Sequence, residues 1–150
     1  MNIFDAKLVR TSVSVQDKET LLKIMVDDLH SAGYVEDKEG YYEAVKERED
    51  VLSTGIGHGI AIPHGRHISV AELKSAVYIL DKDLDYEALD NNPVRIIFML
   101  AIPSACTSEY MKVLGYISKT LHDEDNRKMF LECEDSGVIV DFLKRMQDEL

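Results

Sequence analysis

VRIIFMLAI, residues 94–102, is apolar at every position but Arg95. A run this continuous fits a strand buried on both faces, flanked by helices above and below, because a half-exposed strand would alternate polar and apolar residues. Two shorter apolar runs supply its neighbours: SAVYIL at 75–80, and IAI at 60–62, which Pro63 is expected to stop. The rest of the chain reads as helices able to cover such a sheet. From Asp17 to His30, residues Leu22, Met25, Val26 and Leu29 fall on one helical face, and Gly33 follows where a stop is expected. Glu36–Asp50 forms a second helix whose inward stripe of Tyr41, Ala44 and Val45 continues to Arg48, so an arginine ends an apolar face. Beyond Pro103 a third helix carries Tyr110, Val113, Leu114, Ile117 and Leu121. Asp123 is expected to cap a fourth, and Ser136 a fifth bearing Val138, Ile139, Phe142, Leu143 and Met146. The expected fold is a three-layer α/β/α sandwich with a central mixed sheet and helices on both faces, built as one domain over residues 1–150.

Length and charge narrow the function classes. The chain has 150 residues, a size that fits one core. Its 28 acidic and 17 basic residues leave a net charge of −11, which argues against a nucleic-acid surface while leaving room for a local anion site. Cys106 and Cys133 show no metal or redox spacing and read as free thiols. MNIFDAKLVR, the first ten residues, lacks the cationic and apolar segments of a signal peptide, and no run approaches the ~18 apolar residues of a membrane span, so the expected location is the cytoplasm.

The chemistry is concentrated in STGIGHGIAIPHGRH, residues 53–67, with four glycines, three histidines and one proline. A nucleotide loop is excluded: GIGHG lacks the third glycine of GxGxxG and the lysine of a P-loop, and the order is helix, glycines, strand where a dinucleotide fold needs strand, glycines, helix. His58, His64 and His67, spaced by six and three, match no common zinc pattern, so no metal is expected. His58 and His67 read as solvated bystanders of a tight turn. His64 differs, because Pro63 fixes the chain before it and Gly65 clears the space after it, so its imidazole is rigidly aimed beside glycine-rich backbone that can offer N–H groups to an anion. A nucleophile for phosphate needs that arrangement.

From Arg48 to Arg66, REDVLSTGIGHGIAIPHGR closely resembles the signature of the mannitol/fructose-type enzyme IIA components of the bacterial phosphoenolpyruvate-dependent sugar phosphotransferase system. The resemblance joins an Arg-Glu pair at a helix end, a Ser-Thr-Gly-Ile-Gly turn and an Ala-Ile-Pro-His-Gly core. Weaker similarity runs through NNPVRIIFMLAIP to GVIVDFLKRM. It implies a phosphocarrier whose His64 takes a phosphoryl group from the phosphohistidine of HPr and passes it to a IIB component, which serves a membrane IIC, with no cofactor. Arg48 would neutralise phosphate oxygens, and Ser53, Thr54 and the backbone at Gly55 would donate hydrogen bonds. The resemblance covers both a transport component and a regulatory protein that uses its phosphorylation state to bind other partners. In one place the chain departs from the pattern. Many members carry a second histidine within His-Leu-x-x-Leu early in the helix after the long strand, and here Tyr110 stands there, able to donate a hydrogen bond but not to carry charge. His122 lies too far along that helix to substitute.

Overall fold

The computed structural model describes residues 2–150. In chain order the elements are β1 (Phe4–Val13), α1 (Lys18–Ser31), α2 (Lys38–Val51), β2 (Gly55–Gly57), β3 (Ile60–Ala61), β4 (His64–His67), β5 (Lys74–Leu84), β6 (Val94–Pro103), α3 (Glu109–His122), α4 (Glu124–Glu132) and α5 (Ser136–Asp148). The strands form one mixed sheet in the order β1-β5-β6-β3-β2, with β4 also paired to β6. β6 is the central strand the sequence predicts. It runs antiparallel to β5 and parallel to both β3 and β4, which lie one after the other along the same side of it.

Alternation along β6 divides the core into two. Ile97, Met99 and Ala101 face α1 and α2, meeting Leu21, Met25, Leu29, Tyr41 and Val45. Ile96, Phe98, Leu100 and Ile102 face the other helical layer, meeting Val113, Ile117, Leu121, Phe130, Ile139 and Leu143. The three-layer α/β/α sandwich with a mixed sheet is therefore the observed fold, and both faces of β6 are buried for the reason its composition suggests.

Helix ends follow capping chemistry. Asp17 and Asp37 accept from the N–H groups of Thr20 (2.7 Å) and Gly40 (3.0 Å), and Gly33 adopts φ +86° after α1, the left-handed conformation glycine adopts without steric cost. Asp123 caps α4 as expected. Ser136 does not cap α5: Asp135 accepts from the Gly137 N–H at 2.9 Å, and Ser136 is the first helical residue. A carboxylate one residue earlier provides the same acceptor with a charge that suits the helix N-terminus.

Two further strands, β1 and β4, carry no clear signature in the sequence. β1 gives no clean period of two because irregularities in its register interrupt the pairing with β5 on both sides of Val9-Arg10. β3 ends at Ala61, before Pro63, so the interruption expected at the proline is present. The chain resumes pairing with β6 immediately as β4, where His64 lies opposite Leu100, and the Pro63 carbonyl accepts from the Leu100 N–H at 2.9 Å. A proline lacks only the donor, and here the ladder uses its acceptor.

Candidate functional site

The site is built where α2 packs on β4. Gly65 makes the contact possible: a Cβ there would stand 2.9 Å from Val45 Cγ2, 3.0 Å from the Val45 backbone nitrogen and 3.2 Å from Tyr41 Cε1. Close approach of the helix brings its last turn, with Arg48, over the strand that carries His64. Tyr41 locks the same region from beneath, its hydroxyl donating to the Leu100 carbonyl at 2.7 Å. His64, Arg48, Arg66 and Tyr110 line one cavity of about 450 Å³, together with Glu47, Val51 and Ile102.

The His64 ring has a defined tautomer. Its Nδ1 lies 2.9 Å from the Ile62 carbonyl oxygen, and because a carbonyl only accepts, Nδ1 carries the hydrogen and donates it. Nε2 is then the nitrogen with an open lone pair. Burial holds the imidazole below its ordinary pKa; the Ile62 bond opposes this, the Arg48 charge adds to the lowering, and the Glu49 charge opposes it. Half-buried and depressed from 6.5, the ring is neutral at pH 7 and nucleophilic at Nε2. Arg48 donates from Nη1 to the Leu52 carbonyl at 2.7 Å, which ties its guanidinium to the end of its own helix. Among the described residues no carboxylate lies within 4.0 Å of Arg48 or Arg66.

Tyr110 joins the cavity, whereas Ser53, Thr54 and Gly55 are not among its lining residues. Thr54 is buried, and both its N–H and its hydroxyl donate to Glu49; the Gly55 N–H donates to Ser53 Oγ at 3.1 Å. Those groups therefore stabilise the turn itself. Glu49 is the residue whose role the sequence does not reveal: it also accepts from Tyr86 Oη at 2.7 Å and pairs with Lys18 at 3.0 Å, gathering α1, α2, the Thr54 turn and the segment before β6 around one buried carboxylate. Its only signal in the sequence is its place beside Arg48.

The other histidines have different neighbours. His58 sits at φ +56° between Gly57 and Gly59, its ring edge-on to His122 with centroids 5.5 Å apart. Nδ1 of His67 accepts from the Ser69 N–H at 3.1 Å, and its Nε2 lies 4.0 Å from Asp37. Among the described residues no three His, Cys, Asp or Glu side chains gather as a metal site. No helix of the described residues is long and apolar enough to cross a membrane.

Fold and cavity together define an α/β domain in which a neutral histidine and an arginine line one cavity. The family model described as "Phosphoenolpyruvate-dependent sugar phosphotransferase system, EIIA 2" matches residues 2–146, and the chain belongs to that family. It is 34% identical over 137 residues, 91% of its length, to the PTS system fructose-specific EIIABC component of Bacillus subtilis, of which it spans 22%. It is 32% identical over 126 residues to the PTS system fructose-specific EIIA component of Haloferax volcanii, covering 84% of this chain and 82% of that one. In three dimensions it matches the nitrogen regulatory protein IIA-Ntr of Neisseria meningitidis with a TM-score of 0.88 at 25% identity, over 95% of this chain and 97% of that one.

Proposed function

We propose that this chain is a phosphohistidine carrier that accepts a phosphoryl group on His64 Nε2 from phospho-HPr and passes it to a IIB component during sugar uptake. The observation that carries the reading is the Nδ1–H bond to the Ile62 carbonyl, which leaves Nε2 unprotonated in a cavity it shares with Arg48. In the transfer the Nε2 lone pair forms the new N–P bond while the donor's N–P bond breaks, its electron pair returning to the donor imidazole. No proton leaves His64, because Nδ1 keeps its hydrogen and the Ile62 carbonyl accepts it before and after. The positive charge on the phosphorylated ring and the guanidinium of Arg48 both offset the incoming dianion, so catalysis is chiefly positioning and charge stabilisation.

Incubation with phosphoenolpyruvate, enzyme I and HPr, followed by intact mass, tests the reading. One acid-labile phosphoryl group is expected on the wild type and none on His64→Ala. A labelled His64→Ala variant overturns the assignment. A regulatory role for the same phosphohistidine is the second reading, favoured by the match to a nitrogen regulatory protein. Passage of the label to a purified IIB at a rate comparable with its arrival supports transport, and retention of the label in the presence of IIB supports regulation.

A further inference from the structure

We infer that Arg66 is a second phosphate-neutralising group of this cavity and that Tyr110 is the positioning residue that holds it; the inference rests on His64 being the phosphoryl acceptor. His64 and Arg66 are two residues apart on β4, opposite Leu100 and Ile102, so their side chains leave the strand on the same face, with backbones about 6.6 Å apart. The Arg66 guanidinium carbon lies 5.1 Å from the centre of the Tyr110 ring, within the range of a cation over an aromatic face. Every hydrogen bond that Arg66 makes comes from Nη1, which donates to the Ser104 carbonyl at 3.2 Å, to the Cys106 carbonyl, and more distantly to the Pro103 carbonyl at 3.5 Å. One nitrogen is thus anchored to the β6–α3 loop and the ring fixes the plane, while Nε and both hydrogens of Nη2 remain available as donors. A guanidinium needs this partial anchoring to meet an anion without first paying the entropy of ordering a long side chain.

Charge gives the arrangement its meaning. A chain of net charge −11 brings to one cavity, beside a neutral histidine, two arginines that have no carboxylate within 4.0 Å among the described residues, with Glu47 the acidic residue of the lining. The arriving group bears about two negative charges, more than the phosphorylated ring alone offsets. Tyr110 contributes no charge of its own, and its ring instead stations the cation of Arg66 at the cavity wall.

Phosphoramidate, a small donor, tests this without any protein partner: Nε2 forms the N–P bond, and the donor P–N bond breaks to release ammonia. The initial rate of phosphohistidine formation is followed by intact mass. Arg66→Met is expected to slow it about tenfold, and Tyr110→Leu to slow it several-fold, with Tyr110→Phe restoring most of that loss because the ring remains. Arg66→Met/Tyr110→Leu is expected to be no slower than Arg66→Met, the signature of one residue acting through the other. Raising the salt concentration should slow the wild type more steeply than Arg66→Met, a difference that a merely structural role in the loop would not produce. Absence of label on the wild type would overturn the His64 reading itself. A labelled wild type with Arg66→Met at the same rate and the same salt dependence would overturn this inference alone, and additive losses in the double variant would remove Tyr110 from the positioning role.

Discussion

Glu49→Gln isolates the charge at the centre of the buried network while preserving its shape. Oε2 faces two donors, the Thr54 N–H at 3.2 Å and the Lys18 ammonium at 3.0 Å, so the amide nitrogen of glutamine is excluded from that side. Oε1 faces the hydroxyls of Thr54 and Tyr86, which lie 3.0 Å from each other and can turn to accept. Glutamine fits with its NH₂ toward the hydroxyls, where one hydroxyl can donate to the other and the second hydroxyl hydrogen is left without an acceptor. What is also lost is the charge-assisted part: the ion pair to Lys18 and the stronger bond to the Thr54 N–H. A hydrogen bond to a charged group contributes about 1.5–3 kcal/mol, and breaking a fully buried pair costs about 3–5 kcal/mol. Lys18 keeps 21% of its side chain exposed and can rehydrate, which places the loss near the lower figure, about 2–3 kcal/mol. For a domain of this size that is a fall in Tm of about 4–12 °C. Denaturant midpoints of the wild type, Glu49→Gln and Glu49→Ala provide the assay, with Glu49→Ala the least stable because it leaves three donors and a cation without an acceptor. A Glu49→Gln midpoint equivalent to less than about 0.5 kcal/mol would refute the argument, since surface substitutions already reach that size.

Gly65→Ala should destabilise the fold by about 1–3 kcal/mol, because the new methyl meets the backbone of α2 as well as flexible side chains, and should also slow phosphorylation by displacing Arg48; an unchanged denaturant midpoint would contradict the packing argument. Arg48→Lys keeps the charge but loses the planar fork, so transfer to His64 should slow about tenfold, or about 1.4 kcal/mol; equal rates would return Arg48 to a role at the helix end. The lowered pKa of His64 means that the unfolded chain binds a proton the folded chain resists, so stability from this group is complete above about pH 6.5 and is lost as pH falls through 6.5 toward the folded value. His64→Ala should therefore show a shallower loss of stability between about pH 7 and pH 5 than the wild type, measured by denaturant midpoints at each pH. Nitrogen NMR of the His64 ring at pH 8 should report the Nδ1–H tautomer, and an Nε2–H ring would remove the nucleophile from the proposed position.

The helices and the central strand were legible because their signals are local: spacing along one face, a capping aspartate, a run of apolar residues too continuous for an exposed strand. β1 was not, since Phe4, Leu8 and Val9 are buried at intervals that fit no single period once the register slips. β4 was hidden for another reason. His-Gly-Arg-His has no apolar residue, and it is a strand only because β6 supplies the partner. Within the site, His64, Arg48 and Tyr110 could be singled out by motif, helical stripe and departure from the family pattern. The sequence offers Thr54 as a donor to phosphate, but its N–H and hydroxyl are engaged by Glu49, a partner that comes within reach only when α2 ends against the turn. The pairing of Arg66 with Tyr110 spans forty-four positions, and nothing along the chain announces it.

Pro63 shows how a residue read correctly as a breaker acts differently once folded. Pairing between β2 and β3 reaches Ala61, and β4 begins at His64, so residues 62 and 63 fall between two stretches of regular ladder. Without an N–H, Pro63 gives the sheet only its carbonyl, which Leu100 uses. The interruption leaves the Ile62 carbonyl free to turn toward the ring two residues on, where it takes the Nδ1 hydrogen of His64. The proline thus does more than aim the imidazole: by breaking the ladder for two residues it releases the acceptor that fixes the tautomer. Gly65, next along, admits the helix that carries Arg48. Pro-His-Gly thus meets three separate backbone requirements: an acceptor that fixes the tautomer of His64, a strand position that holds its ring in the cavity, and room for the helix that carries Arg48.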